Sequence, residues 1–226
     1  MVYSVGIFNE DMSRNNQYNK LDFENLTCLG RLIYPWTIRI RNELAIRHIP
    51  KDTQKLLDFG GAHGYLIRNT FSPKAVSIDE KIILYIDRDE DGRIIREESG
   101  DGFLFVDKLP FQDICFDCIT AIAIVEHIKN LRSLMKEFHR ILRDEGTLII
   151  TTPNHLVDKI LPFLDKGSNQ LRGKKVTEEH EHYLDRSQMQ WFAEDLFTLK
   201  IYRKFQFGLN QLFVFEKMIR HRLNYI

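Results

Sequence analysis

The 226-residue sequence has no uninterrupted apolar run long enough for a membrane-spanning helix, and its amino terminus lacks a signal-peptide pattern. It also lacks an excess of either charge, because 32 lysines and arginines balance 32 aspartates and glutamates. A balanced chain creates no global field that would attract nucleic acid or an anionic membrane. We therefore expect a cytoplasmic protein with neither kind of partner, and the oligomeric state stays open.

Cysteine is scarce, and the three cysteines are Cys28, Cys115 and Cys118. An odd number without a secretory signal argues against a disulfide framework. Cys115 and Cys118 have the C-x-x-C spacing of some zinc and redox sites. A zinc site needs about four ligands, and the sequence contains neither a second C-x-x-C nor an H-x-x-x-H. The pattern favours two thiols in a buried strand, and we expect no metal.

The glycine loop at residues 58–64 lacks two common phosphate-binding patterns. It has no Gly-Lys-Ser/Thr, and the order of Gly60, Gly61 and Gly64 is not G-x-G-x-x-G. A short apolar run precedes Asp58, as in a buried parallel strand, and the glycines permit a tight turn into a helix. This strand, loop and helix predict a pocket in which backbone N–H groups face a ligand.

Alternating strand and helix patterns continue after the loop. Residues 118–125 are nearly all apolar, as in a central strand buried on both faces. Apolar residues then recur at helical spacing, with Asn130 as a possible cap and Gly146 as the end of the helix. A strand at 147–150 follows. Ser187 and Gln190 have capping-box spacing, and residues 198–215 predict a closing antiparallel hairpin.

The residues of the glycine loop resemble motif I of the class I S-adenosylmethionine (SAM) dependent methyltransferases, with Ala62 in place of the middle glycine. The run IVEHI, EFHRIL and EGTLIITTPN, within residues 124–154, is similar to a block of the small-molecule group that includes ubiquinone O-methyltransferases. The resemblance covers about residues 53–155. It implies an α/β fold with a Rossmann-like, doubly wound, seven-stranded sheet that ends in an antiparallel β-hairpin.

The resemblance also implies SAM as cofactor and a small-molecule methyl acceptor, such as a sugar, a lipid or a natural product. Asp58 would lie near the methionyl ammonium. Asp79, after a predicted strand at 75–78, would bind the ribose hydroxyls. Asp107 would meet the adenine amino group, with Asp101 as a competitor. The candidate cofactor-binding residues are Asp58, Gly60, Gly61, Gly64, Asp79, Asp107 and Ala123.

Methyl transfer sometimes needs a general base, and the loops at the carboxyl ends of the strands offer candidate catalytic histidines. His127 could equally satisfy only backbone groups, and His139 is expected to be solvated. Ubiquinone-type enzymes carry Glu-x-x-Glu-His as a metal site, but Ala123 stands here where the first glutamate would be. The catalytic candidates are His127, His155, His180 and His182.

Residues 82–97 depart from the family pattern, which places a helix there. Two isoleucine-rich runs flank an Asp-Gly pair, which predicts a β-hairpin. The same stretch spells one EF-hand calcium loop, but such loops work between two helices and usually in pairs. An acidic surface turn is the favoured interpretation. The residues that match the calcium loop are Asp87, Asp89, Asp91, Gly92, Ile94 and Glu98.

We expect two regions: an N-terminal helical cap over residues 1–50 and a SAM-binding domain over residues 51–226. The cap helix would start at Pro35 and end before Pro50. Tyr34 and Trp36 would pack against the domain or, less favourably, contact substrate. Residues 163–185 predict a lid-like insertion. The alternative function is a SAM-binding partner subunit or regulator without catalysis, which would keep the same pocket.

Overall fold

The structure is a computed structural model that describes residues 27–60, 82–86, 95–97, 104–106, 108–109, 111–157, 160 and 184–219. Some predicted features lie outside these residues. They are the helix after the glycine loop, the strand at 75–78, the acidic turn at 87–94 and all but the last two residues of the lid-like insertion.

The described residues contain three α-helices and eight strands. The described helices are α1 (Cys28–Ile46), α2 (Leu131–Ile141) and α3 (Arg186–Ala193), with a short 3-10 helix at Val125–His127. The strands are β1 (Lys55–Phe59), β2 (Ile82–Ile86), β3 (Ile95–Glu97), β4 (Leu104–Val106), β5 (Phe116–Ile122), β6 (Leu142–Pro153), β7 (Phe197–Phe205) and β8 (Asn210–Lys217).

Six of these strands form one sheet in the order β2-β1-β5-β6-β8-β7. The first four are parallel, and β8 pairs antiparallel with both β6 and β7. The chain moves outward from β1 to β2 and later returns to place β5 on the other side of β1. Such a reversal opens a crevice at the carboxyl ends of the strands, where α/β proteins bind ligands.

The two faces of the sheet carry separate apolar clusters, because successive side chains of a strand point to opposite faces. On one face, Leu44 and Ala45 of α1 pack against Leu56, Cys118 and Ile149. The other face packs against α2 and α3, and its cluster includes Leu57, Ile119, Leu148, Phe138 and Met189. Helices on both faces make this an α/β layered fold, and α1 is part of its packing.

The predicted seven-stranded sheet is reduced to six strands within the described residues. The segment Leu104–Val106 is a strand, as predicted, but it pairs with β3 in a separate two-stranded sheet. Antiparallel pairing with the segment just before it needs only a short connection, whereas joining the parallel sheet needs a longer crossover.

The predicted hairpin at 82–97 is wrong in its pairing. Both flanks are strands, but β2 pairs parallel with β1, while β3 pairs antiparallel with β4. The run Ile82–Ile86 has apolar residues at every position but Tyr85, which suits a parallel strand rather than an alternating hairpin. A strand also stands where an EF-hand would need its first helix.

The structure corrects two predicted helix boundaries. Helix α1 begins at Cys28 and holds Pro35 inside, because the Thr27 side chain accepts the Gly30 N–H at 3.0 Å and caps the helix earlier. Helix α2 ends at Ile141, and Gly146 lies in β6. Asn130 stands at the N-terminal cap of α2, although its side chain makes no capping hydrogen bond.

The capping box of α3 is shifted by two residues from its predicted position. Asp185 Oδ1 accepts the Gln188 N–H at 2.8 Å, and Gln188 Oε1 accepts the Asp185 N–H at 3.0 Å. Both Asp185 and Ser187 have a glutamine three residues later, so local spacing does not choose between them. The Asp185 box buries Met189 and Ala193 against the core.

His139 is buried, contrary to the prediction that it is solvated. Its Nε2 lies 3.1 Å from the Met218 carbonyl oxygen, and its ring meets Phe197 edge to face. Tyr34 and Trp36 are exposed, so neither packs fully against the domain. Within the described part of the chain, no helix combines the length and apolarity needed to cross a membrane.

Candidate active site

The ends of β1 and β5 meet at the topological reversal, and both turn through left-handed backbone. Gly60 has φ +69° and Ala123 has φ +52°. A Cβ on Gly60 would lie 2.6 Å from Ile124 Cγ1, so only glycine allows this approach. The Ala123 N–H donates to the Thr151 carbonyl at 2.9 Å, which holds the turn against β6. We call the side of the sheet where the parallel strands end the carboxyl edge.

Asp58 is buried one residue before the end of β1. Its cross-strand neighbour Thr120 donates a hydroxyl hydrogen bond to Oδ1 at 2.8 Å. The second oxygen, Oδ2, is buried and has no hydrogen-bond partner in the described structure. Burial raises the pKa of Asp58 to about 7, and the Thr120 hydrogen bond opposes that rise only in part. A cationic donor beside Oδ2 would satisfy this oxygen and favour the carboxylate.

A second carboxyl group is buried just after β5. Glu126 lies in the 3-10 helix, is 2 % exposed, and its Oε2 is buried without a hydrogen-bond partner among the described residues. Near the end of β6, the hydroxyl oxygens of Thr151 and Thr152 are also buried without a hydrogen-bond partner among the described residues. Buried polar atoms are normally hydrogen-bonded, so the unmet carboxyl oxygens of Asp58 and Glu126, near the ends of the adjacent strands β1 and β5, are suited to a ligand rich in donors.

The two described candidate histidines stand at the same edge with different exposure. His127 ends the 3-10 helix, is partly buried, and donates its backbone N–H to the Ile124 carbonyl at 3.1 Å. His155 is exposed and follows Asn154, whose N–H donates to the Leu209 carbonyl at 2.7 Å. His127 therefore directly follows the buried Glu126 in the sequence, whereas His155 is open to solvent.

Several predicted site residues lie outside the described residues. They are Gly61, Gly64, Asp79, Asp101, Asp107, His180 and His182. The pairing of β2 changes the argument for one of them. Ile86 is the register partner of Phe59, so β2 reaches the carboxyl edge beside Gly60. The next residue in the sequence is Asp87, whereas Asp79 precedes the start of β2.

An arginine on α2 holds the loop that joins β4 to β5. Arg140 donates to the carbonyls of Leu109 and Phe111 at 2.9 and 2.7 Å, and Glu137 accepts the Leu109 N–H at 2.8 Å. Arg140 and Glu137 also pair at 2.8 Å. Burial raises the pKa of Glu137, but hydrogen bonds from Arg140 and Leu109 outweigh it, and the net pKa is lowered. This pair fixes the chain that follows Asp107.

The C-x-x-C pair shows no metal-site geometry in the part of the chain that the structure describes. Cys118 is buried in β5, Cys115 is partly buried just before it, and Cys28 is exposed on α1; all three are free thiols. Burial raises the pKa of both Cys115 and Cys118. Among the described residues, no group of three or more histidine, cysteine or carboxylate side chains is placed to hold a metal.

Sequence reasoning missed the groups that support Asp58 and Gly60. Thr120 orients the Asp58 carboxyl group, and Ile124 makes glycine necessary at position 60. Thr120 is the single polar residue in the apolar run at 118–125, which was a usable signal once β1 and β5 were paired. The burial of Glu126 had no such signal, because it depends on the 3-10 turn after Ala123.

Comparisons with known proteins agree with this geometry. Residues 34–196 match a family described as a methyltransferase domain. The SAM-dependent methyltransferase of Aquifex aeolicus has a similar structure, with a TM-score of 0.51, 13 % identity, and coverage of 88 % of this chain and 96 % of that chain. No curated protein is significantly similar in sequence.

Two further solved structures share the fold. A methyltransferase in complex with the Trm112 methyltransferase activator from Haloferax volcanii gives a TM-score of 0.53 at 13 % identity, over 84 % of this chain and 94 % of that chain. The [4+2]-cyclase SpnF gives 0.52 at 10 % identity, over 79 % and 80 %. At these identities the likeness shows the fold alone. The matched family, together with this α/β fold, establishes that the chain belongs to the methyltransferase domain family and is a SAM-dependent methyltransferase.

Proposed function

We propose that the enzyme transfers the methyl group of SAM to a small-molecule acceptor that enters at the carboxyl edge. The observation that carries the proposal is the unmet buried oxygen of Asp58 beside the Gly60 turn. SAM presents an ammonium group as a donor, which suits that oxygen. When bound, SAM supplies an activated methyl group on a positive sulfur, and the protein has to orient the acceptor and exclude water.

The strand order supports an assignment of the cofactor residues. Asp58 would hold the ammonium, with Gly60 and Ala123 providing the turns that let the ligand approach the backbone. Because β2 ends beside Gly60, we propose Asp87 for the ribose hydroxyls in place of Asp79. Asp107 keeps its proposed adenine role, and the Arg140 pair would steady the loop behind it.

The ammonium assignment is tested by the pH dependence of SAM binding. A cation favours the ionised carboxyl group, so binding should displace a proton when Asp58 is protonated. Affinity should rise about tenfold per pH unit below pH 7 and level off above it, as the pKa of about 7 requires. Calorimetry in buffers of different ionisation enthalpy measures affinity and proton release together. Asp58→Asn should bind weakly at every pH; an unchanged affinity would contradict the assignment.

For the general base we propose His127, which is partly buried at the carboxyl edge and follows the buried Glu126. His127→Gln and His155→Gln form a matched pair, since both histidines stand at this edge and differ in burial. Turnover of SAM to S-adenosylhomocysteine over a panel of sugar, phenol and fatty-acid acceptors should fall in the first variant only. SAM binding should persist in both, and equal turnover in the two variants would remove His127 from this role.

A wild-type protein that binds SAM but turns over no acceptor in the panel would favour the alternative, a partner subunit or regulator without catalysis. The panel also resolves the acceptor class, which the fold alone leaves open.

A further inference from the structure

An exposed apolar surface stands at the carboxyl edge, and none of its residues is assigned to the cofactor above. Of the nine large hydrophobic side chains that are exposed among the described residues, five lie on α1 or on the turn between β7 and β8. Single exposed apolar residues are ordinary, whereas a concentration of them marks an interaction site. These five residues are Leu29, Leu32, Tyr34, Trp36 and Phe207, which we call the apolar rim.

Hydrogen bonds join the two parts of the rim. Gln206 Nε2 donates to the Thr37 carbonyl at 2.7 Å, which places the residue before Phe207 against the residue after Trp36. Asn210 Nδ2 donates to Gln206 Oε1 at 2.6 Å and holds that amide in place. The turn is tied to the carboxyl edge as well, through the bond from the Asn154 N–H to the Leu209 carbonyl.

The first half of α1 projects from this junction. Ala45 packs in the middle of the sheet and Thr37 lies at the turn, so residues 28–36 extend for about 13 Å of helix beyond it. Leu29, Leu32 and Trp36 are spaced three and four residues apart and therefore share one helix face.

The turn presents Phe207 to solvent. Residues 206, 207 and 208 all have positive φ, at 51°, 58° and 82°. A bulky residue in this region is strained, yet Phe207 is 95 % exposed and packs against nothing that would repay the strain. An aromatic side chain held outward at the tip of a hairpin is suited to entering another apolar phase.

The two segments that carry the rim are basic, although the whole chain is neutral. Residues 28–42 carry three arginines and no acidic residue, and residues 196–215 carry Lys200, Arg203 and Lys204 and no acidic residue. Arg39 pairs with Glu43 and Lys200 with Glu216, and both partners lie beyond these segments. Arg203 and Lys204 are exposed within four residues of Phe207.

We propose that the apolar rim binds an anionic membrane surface, with Phe207 and Trp36 entering the interface and the flanking cations meeting lipid headgroups. Aromatic residues favour the level of the headgroups, and each basic residue near an anionic surface adds attraction. Exposed leucines beside the aromatics favour lipid over nucleic acid, which would use the cations and aromatic faces but not the aliphatic side chains. An acceptor dissolved in the membrane would then reach the carboxyl edge directly.

The test is co-sedimentation of the full chain with vesicles of phosphatidylcholine, alone or mixed with phosphatidylglycerol. We expect binding to the mixed vesicles that weakens with added salt. Phe207→Asn keeps a residue that tolerates positive φ at this position. Both Phe207→Asn and Trp36→Ala should weaken vesicle binding about tenfold, because each removes one aromatic side chain that the membrane would bury. Trp191→Ala is the matched control, because Trp191 is an exposed tryptophan on α3, away from the rim.

Three results would overturn the proposal. The wild type could fail to sediment with the mixed vesicles. Trp191→Ala could weaken binding as much as the rim variants do. A single-stranded RNA could bind in preference to vesicles, with the Arg203→Gln, Lys204→Gln double variant losing that binding and Phe207→Asn retaining it. SAM affinity, measured separately, checks that each variant is folded and keeps this test apart from that of the proposed methyl transfer.

Discussion

At the scale of single residues, the site is built on side chains and backbone angles that are costly elsewhere. Asp58 is a buried carboxyl group with one unmet oxygen, and Gly60 and Ala123 turn through left-handed backbone at adjacent strand ends. Such features persist only where the surrounding structure enforces them, and they concentrate at functional sites. Asp58 and Gly60 each lead to a measurable prediction about stability.

Asp58 should make the ligand-free protein less stable as pH rises. Its pKa is about 7 in the folded state against an ordinary 3.8, so the folded state binds the proton more tightly. The stabilising contribution is therefore complete below pH 3.8 and is lost as pH rises through about 7, by roughly 4 kcal/mol at most. Urea unfolding from pH 4 to pH 8 should show this slope in the wild type and a flatter one in Asp58→Asn.

The exposed Asp52 supplies the control for this measurement, because Asp52→Asn should keep the wild-type slope. If Asp58→Asn also kept it, the raised pKa of Asp58 would be refuted.

A comparison of Gly60 and Gly208 separates the free-energy cost of backbone strain from the cost of steric crowding. Both have positive φ, at 69° and 82°, but a Cβ on Gly60 would meet Ile124 at 2.6 Å, while a Cβ on Gly208 would meet nothing within 4 Å. Gly208→Ala should cost about 1–2 kcal/mol of unfolding free energy from strain alone. Gly60→Ala should cost about 1–3 kcal/mol more, because Ile124 has to move. Thermal or urea unfolding of both variants gives the difference, and equal losses would show that Ile124 yields without cost.

At the scale of elements, the positions of strands were predicted more reliably than the pairing between strands. The sequence pattern alone was sufficient to predict β1, β5 and α2, because continuous apolar runs and helical spacing indicate burial directly. The segments at 82–86 and 95–97 are strands as predicted, but they belong to different sheets. Which strand a segment pairs with depends on residues far away in the chain, and local spacing carries no information about them.

The capping box of α3 gives a clean test at this scale. Asp185→Ala should lower the free energy of unfolding by about 1 kcal/mol, because the N–H of Gln188 loses its acceptor. Ser187→Ala is the control and should change it by a few tenths at most, since Ser187 lies inside the helix. A larger loss of unfolding free energy in Ser187→Ala than in Asp185→Ala would instead support the capping box predicted at Ser187 and Gln190.

At the scale of the whole molecule, the three thiols lie in three different environments. Cys28 is exposed on α1, Cys115 is partly buried and Cys118 is buried at the centre of the sheet. Burial raises the pKa of Cys118, and a thiol rather than a thiolate is unreactive. Cys118 can therefore react only after global opening of the β1, β5 and β6 pairing.

Labelling with a thiol reagent should modify Cys28 first, Cys115 next and Cys118 last, with mass spectrometry of peptides giving the three rates. SAM at 100 times its dissociation constant should slow Cys118 labelling about 100-fold, because ligand that binds only the folded state stabilises it by about 2.7 kcal/mol. The rate for Cys28 should not change, which makes it the internal control. A Cys118 rate that ignores SAM would show that this thiol is reached by local opening.

At this scale, the net charge of the whole chain does not describe the charge of its separate segments. Equal numbers of acidic and basic residues predicted no attraction to a membrane. The fold, however, brings two segments without acidic residues to the same edge of the sheet, with the bond between Gln206 and Thr37 at their junction. The net charge of the whole chain does not report this local grouping of basic segments, because folding alone brings them together.

The amino-acid sequence by itself determined the family, the cofactor and the strand that carries the glycine loop, because these depend on residue types at short, regular spacing. The prediction of a SAM-dependent methyltransferase is confirmed by the matched family. Tertiary structure decided what depends on distant contacts: the partner of β2, the burial of His139 and Glu126, and the clash that makes Gly60 necessary. Burial and strand pairing join residues dozens of positions apart, and their energies exist only once the chain has folded.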